Sequence, residues 1–152
     1  MPIEGRALPD HRLLVALISE RLTQEDVRAA VARQAQNRDV AQSYDRLVFI
    51  ARHADLSELT PEVLKAAKAL IIDAYFKAGD APPPASDFRM AVVCPAPVNA
   101  LVLRLFGALW HAEAESYLSL QTFTELPAAL AWLGRATIPL TEFSDEMKRV
   151  AG

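Results

Sequence analysis

The sequence predicts an α/β fold: a mostly parallel, four- to five-stranded mixed sheet with connecting helices. Three observations carry this. Short apolar runs alternate four times with longer segments of helical period, the pattern of βα units joined by right-handed crossovers. The first three runs, RLLVALI, RLVFIA and RMAVVC, are apolar along their length, as strands covered on both faces are. The fourth, YLSLQTF, alternates polar and apolar residues as an edge strand does.

In chain order, the first strand is expected over 12–18 and a helix over 23–36. Thr23 stands at its N-cap, with Asp26 three residues on where a capping box carries an acceptor. Val27, Ala30, Val31 and Ala35 make a modest apolar stripe. The second strand is 46–51. Thr60 then caps a helix that opens on Pro61 and Glu62, both suited to a first turn. Its stripe runs through Val63, Leu64, Ala67, Leu70, Ile71, Ala74, Tyr75 and Ala78 at helical spacing, and Gly79 with the loop GDAPPPASD stops it. The third strand, 89–94, ends at Pro95 and Pro97, which open a helix over 97–112. The fourth strand, 117–123, leads into a helix over 125–133, where Trp132 is expected as a core anchor and Gly134 as the stop. Residues 3–8 are expected as a short antiparallel edge strand, turned by Leu8-Pro9-Asp10-His11. The domain thus spans 1–134. A C-terminal extension, 135–152, packs on it with a short helix capped by Thr141 and carrying Phe143 and Met147 on one face.

Composition narrows the function classes. Of the 152 residues 52% are hydrophobic, enough for one core without staples, and the net charge of -3 lacks the basic footprint of a nucleic-acid binder. The single cysteine, Cys94, excludes an intrachain disulfide, so a reducing cytoplasm is the expected compartment. No apolar run approaches the roughly 20 residues that span a bilayer, and the first ten residues are too polar for a signal peptide.

Three segments, ERLTQEDV, RMAVVCPAP and TFTELPAALAWLG, resemble those of one family, the SpoIIAA-like proteins of the STAS superfamily. ERLTQEDV is similar to the stretch that leads into that family's first helix, and RMAVVCPAP to its R-x-A-V-V strand. TFTELPAALAWLG resembles its C-terminal F-x-x-x-x-x-A-x-x-W-L segment through Phe123, Ala129, Trp132 and Leu133. The resemblance covers roughly residues 3–134 and implies a βα superhelix of a bacterial, non-enzymatic, cofactor-free binding or regulatory module. For this branch it implies apolar ligands or membrane surfaces. The Asp-Ser-Ser-Gly run of phosphorylation-switched members is replaced by ADLSELTPE, in which only Ser57 and Thr60 offer hydroxyls, and Glu20 stands where the family often has Gly. The missing run argues against a partner-switching phosphorylation.

No catalytic, metal or nucleotide motif is present. His11, His53 and His111 lack a second ligand at metal spacing and are expected on loops or the surface, so neither a metal nor an organic cofactor is expected. Two candidate ligand-binding sets remain. Arg52, His53, Asp55 and Ser57, with Cys94, lie at the carboxyl ends of the second and third strands, where open α/β sheets take ligands. The alternative is loop polarity, capping and a packed thiol. The helix 97–112 carries one stripe at Val98, Leu101, Val102, Leu105 and Leu109 and another at Leu103, Phe106 and Trp110. Either both are core, or one faces a lipid-like small molecule, a membrane surface or a second copy in a homodimer. Three functions therefore compete: a STAS-like binding or regulatory module with no known ligand, a carrier or sensor of a small apolar molecule, and a small-molecule enzyme working through residues 52–57.

Overall fold

The computed structural model describes residues 3–37, 40, 43–73, 88–111 and 118–151, apart from the side chains of Phe88, Val98, Leu109, Trp110, His111, Leu118 and Ala151. Five strands form one sheet: β1 (Ile3–Leu8), β2 (Leu13–Ile18), β3 (Asp45–Ile50), β4 (Phe88–Val93) and β5 (Leu118–Phe123), in the spatial order of the chain. β1 pairs antiparallel with β2, and every other pair is parallel. The α-helices described are α1 (Gln24–Ala35), α2 (Pro61–Ile71), α3 (Pro97–His111), α4 (Leu126–Trp132) and α5 (Asp145–Ala151). The sheet is therefore mixed, with the alternating strand β5 at one edge and the hairpin strand β1 at the other. The expected stop of α2 at Gly79, together with Ala74, Tyr75 and Ala78 of its stripe, lies outside the described residues.

Local chemistry sets the helix ends. At α1 the Thr23 hydroxyl accepts from the Asp26 amide at 3.1 Å and the Asp26 carboxylate accepts from the Thr23 amide at 2.9 Å, a reciprocal capping box. The Thr23 amide and hydroxyl both donate to the Asp26 carboxylate, and these bonds to the ionised form hold its pKa below the ordinary range. Thr60 Oγ1 accepts from the Val63 amide at the start of α2. α4 ends in a Schellman motif: Gly134 turns left-handed at φ 72° and its amide donates to Ala131, while the Arg135 amide donates to Leu130. In the tail the cap is Ser144 rather than Thr141, since Ser144 Oγ accepts from the Met147 amide at 3.2 Å. Thr141 is instead inside a single 3-10 turn, Leu140–Glu142, that precedes the helix.

Alternation along the strands sends the apolar runs to both faces. One face carries Leu13, Val15, Leu17, Leu47, Phe49, Ala91 and Val93, all essentially inaccessible to solvent. α4 covers it with Leu126, Ala129, Leu130 and Leu133, and the tail adds Ile138, Phe143 and Met147 to the same cluster. Phe49 and Phe143 meet edge to face at 5.8 Å. The opposite face carries Ile18, Val48, Ile50, Met90 and Val92 and is covered by α1, α2 and α3. Asn99, 4% exposed, donates to the Ala54 carbonyl at 3.0 Å and fastens the first turn of α3 to the loop after β3.

Trp132 is a rim residue rather than a core anchor. It is only half-buried, packing on Phe123 at 5.8 Å and lying under the Arg89 guanidinium at 5.7 Å. The fully buried position of that helix is Ala129. Trp132 packs against the same core cluster from its partly buried position.

Candidate functional site

The described part of the helix 97–112 resolves into two faces. Leu101 is 62% and Leu105 38% exposed, so the first stripe points outward at these positions. Leu103 and Phe106 point inward, toward the sheet; the side chain of Trp110 lies outside the described residues. Between α1, α2, α3 and the sheet the inward residues line a partly open cavity of about 170 Å³ with an almost entirely apolar wall. Its floor is Val48 and Ile50 of β3 with Met90 and Val92 of β4. Its roof is Ala30 and Val31 of α1, Leu64 and Ala67 of α2, and Leu103 and Phe106 of α3.

Ala30 and Ala67, the small residues of its wall, come from the adjacent helices α1 and α2. Native interiors hold few voids larger than a water molecule. Two polar residues line the wall among the described ones: Gln34, in the last turn of α1, and Arg46, second in β3. α1 runs back toward the amino ends of the strands before the chain enters β3, so both stand at the same end of the space. Arg46 is 3% exposed and one of its Nη atoms donates to the Tyr44 carbonyl.

The loop set divides differently. Arg52 and His53 are exposed and line an open depression of about 510 Å³ at the carboxyl ends of β2 and β3, shared with Glu20 and with Glu146 and Arg149 of α5. Asp55 and Ser57 turn away from it. The Asp55 backbone bridges to Arg21, with the Leu22 amide donating to its carbonyl at 2.9 Å. Its carboxylate accepts from the Ser57 amide at 2.9 Å, and hydrogen bonds from Ser57 hold that carboxyl below its ordinary range. This pair shapes a turn; it does not face Arg52 or His53 across a shared space.

Cys94 follows β4, 2% exposed, packed in the cluster with Ile50, Leu56 and Leu103. Burial pushes its thiol pKa up, and the contact with the Ala96 carbonyl offsets this only in part. It is a packed thiol in its protonated form. Native protein at pH 8 is expected to react with a disulfide reagent on the order of a hundredfold more slowly than the same protein in guanidinium, because reaction waits on opening of the core. Equal rates in the two conditions would place the thiol at the surface.

Reading residues one element at a time brings out Leu103 and Phe106 but misses the larger part of the wall. Val48, Met90, Val92, Leu64 and Ala67 all carry ordinary core periodicity. Arg46 is missed because it leads an apolar strand and reads as a residue at the strand's wet end. Among the described residues no group of three His, Cys, Asp or Glu side chains stands close enough to hold a metal ion, and no helix is long and apolar enough to cross a membrane. No family model, curated protein or solved structure matches the chain, so its assignment rests on its own residues and geometry.

Proposed function

We propose that the chain is a non-catalytic, STAS-type binding module whose ligand is a small apolar molecule lodged between the sheet and α1, α2 and α3. The cavity is the observation that carries this. At about 170 Å³ it matches the ~150 Å³ engineered apolar cavities that take benzene or xenon. The wall is apolar almost throughout, so an occupant would remove apolar surface from water and gain dispersion contacts there.

The experiment is thermal unfolding of the full chain with toluene or octan-1-ol as probes. At concentrations far above Kd either is expected to raise Tm by roughly 5 °C or more. Ala67→Leu, which pushes a branched side chain into the space, removes that shift while leaving the ligand-free Tm at or above its native value. A native chain whose Tm ignores both probes, and which flies as bare mass in native mass spectrometry, ends this reading.

A further inference from the structure

We propose that two copies of the chain pair through β1, antiparallel about a two-fold axis at Gly5, so that Glu4 of each copy faces Arg6 of the other. β1 ends the sheet on one side, and Glu4, Gly5, Arg6 and Ala7 are all exposed. Alternate residues of an edge strand direct their amide and carbonyl away from the sheet, which makes it a template for one more strand. In the register with β2, Glu4 lies opposite Leu17 and Arg6 opposite Val15, so both charges stand on the tail-covered face. Ile3 packs instead on the helix-covered face.

Charge selects both the occupant and the register. Antiparallel neighbours related by a two-fold keep the same faces, so the axis of such a pair falls on a residue. An axis at Gly5 sets Glu4 against Arg6 twice, and opposite charges directly across a strand pair attract. An axis one residue away sets Glu4 against Glu4 or Arg6 against Arg6. Edge charges that only keep strands apart repel every register; these repel the wrong ones. Gly5 points the same way. A Cβ there would lie 3.5 Å from the Val15 carbonyl oxygen and 3.9 Å from the Ala16 Cβ, ordinary contacts, and its φ is not positive. The chain's own packing therefore does not call for glycine, which weakens a strand and suits a place where another backbone approaches. One Nη of Arg6 donates to the Glu142 carbonyl, and Leu140, in the same turn, leaves apolar surface 58% exposed two residues from that contact. An edge of six residues is smaller than the ~800 Å² per partner of a standard interface, so the dimer is weak, in the micromolar range.

Sedimentation equilibrium of the full chain over roughly 1–500 µM at low ionic strength tests this. The native chain is expected to pass from monomer to dimer across that range. Glu4→Arg and Arg6→Glu, each measured alone, bring like charges together and should weaken association at least about tenfold. An equimolar mixture of the two variants sets opposite charges against each other again and should associate as tightly as the native chain. A native chain that stays monomeric throughout overturns the proposal. So does a dimer that neither reversal weakens, or a mixture no tighter than the variants alone. Should either variant not fold, amide hydrogen exchange on the native chain decides: the outward amides of β1 are expected to exchange severalfold more slowly at the top of the range than at the bottom, and equal rates overturn the pairing.

Discussion

Removal of residues 136–152 is expected to leave a chain that aggregates or collapses without fixed side-chain packing, not a smaller stable domain. Ile138, Phe143 and Met147 lie buried in the cluster that also holds Phe49 and Leu47. At about 1.5–3 kcal/mol for each fully buried large apolar side chain, the three contribute roughly 5–9 kcal/mol, within the range of a whole domain's net stability. The deletion also uncovers the sheet. α4 contacts β4 and β5, whereas the tail helix α5 contacts β3, so without the tail Phe49 and its neighbours face water. Size-exclusion chromatography and near-ultraviolet circular dichroism read both consequences. A monomer with native dichroism and unchanged Tm after the deletion would show that the tail packs nowhere important. Phe143→Ala separates loss of packing from loss of chain: it should cost about 3–5 kcal/mol as a large-to-small core change, because its ring sits edge-on to Phe49 at 5.8 Å.

The elements were legible in the sequence because local signals agreed with one another. The capping box at Thr23 and Asp26, Pro61 after Thr60, and Gly134 after Leu133 each act within a few residues, so the chain displays them directly. β5 was legible as an edge because a strand with one wet face must alternate. What was not legible depended on distance. The helix 97–112 is apolar nearly all round, and only the packed structure separates an inward Leu103 from an outward Leu101. The cavity was hidden for a related reason. It is bounded by residues of α1, α2, α3, β3 and β4, and a void between elements has no periodicity of its own. Arg46 shows the limit most sharply. At the head of RLVFIA it reads as a solvated strand entry, yet neighbouring strands on both sides and helices above leave it 3% exposed.

Arg135→Ala is expected to destabilise the fold by about 2–4 kcal/mol, more than an ordinary surface arginine by several-fold. Arg135 follows the Schellman turn, where Gly134 swings the chain back toward the amino ends of the strands. There its Nε donates to the His11 carbonyl at 2.8 Å and one Nη to the Asp45 carboxylate at 2.6 Å. The same Nη reaches the Leu133 carbonyl at 2.7 Å, and the other Nη reaches the Arg12 carbonyl at 3.2 Å. The second oxygen of Asp45 accepts from the Arg89 amide at 2.7 Å. One guanidinium thus joins the β1–β2 connection, the start of β3 and the end of α4, and through Asp45 the start of β4. The Arg135 and Asp45 side chains are 19% and 13% exposed, so water replaces the lost bonds only partly. Truncation leaves the carboxylate and several carbonyls short of a donor, which is the costly way to break such a network. The loss should appear as a fall in Tm of roughly 5–15 °C. Arg135→Lys, with a point charge in place of a fork, should recover the Asp45 contact but not the carbonyls and fall between. A double-mutant cycle with Asp45→Asn then isolates the pair. Strict additivity of the two changes would mean that the Arg135–Asp45 pair is not coupled, and a Tm for Arg135→Ala within a degree or two of native would mean that the clamp carries no stability.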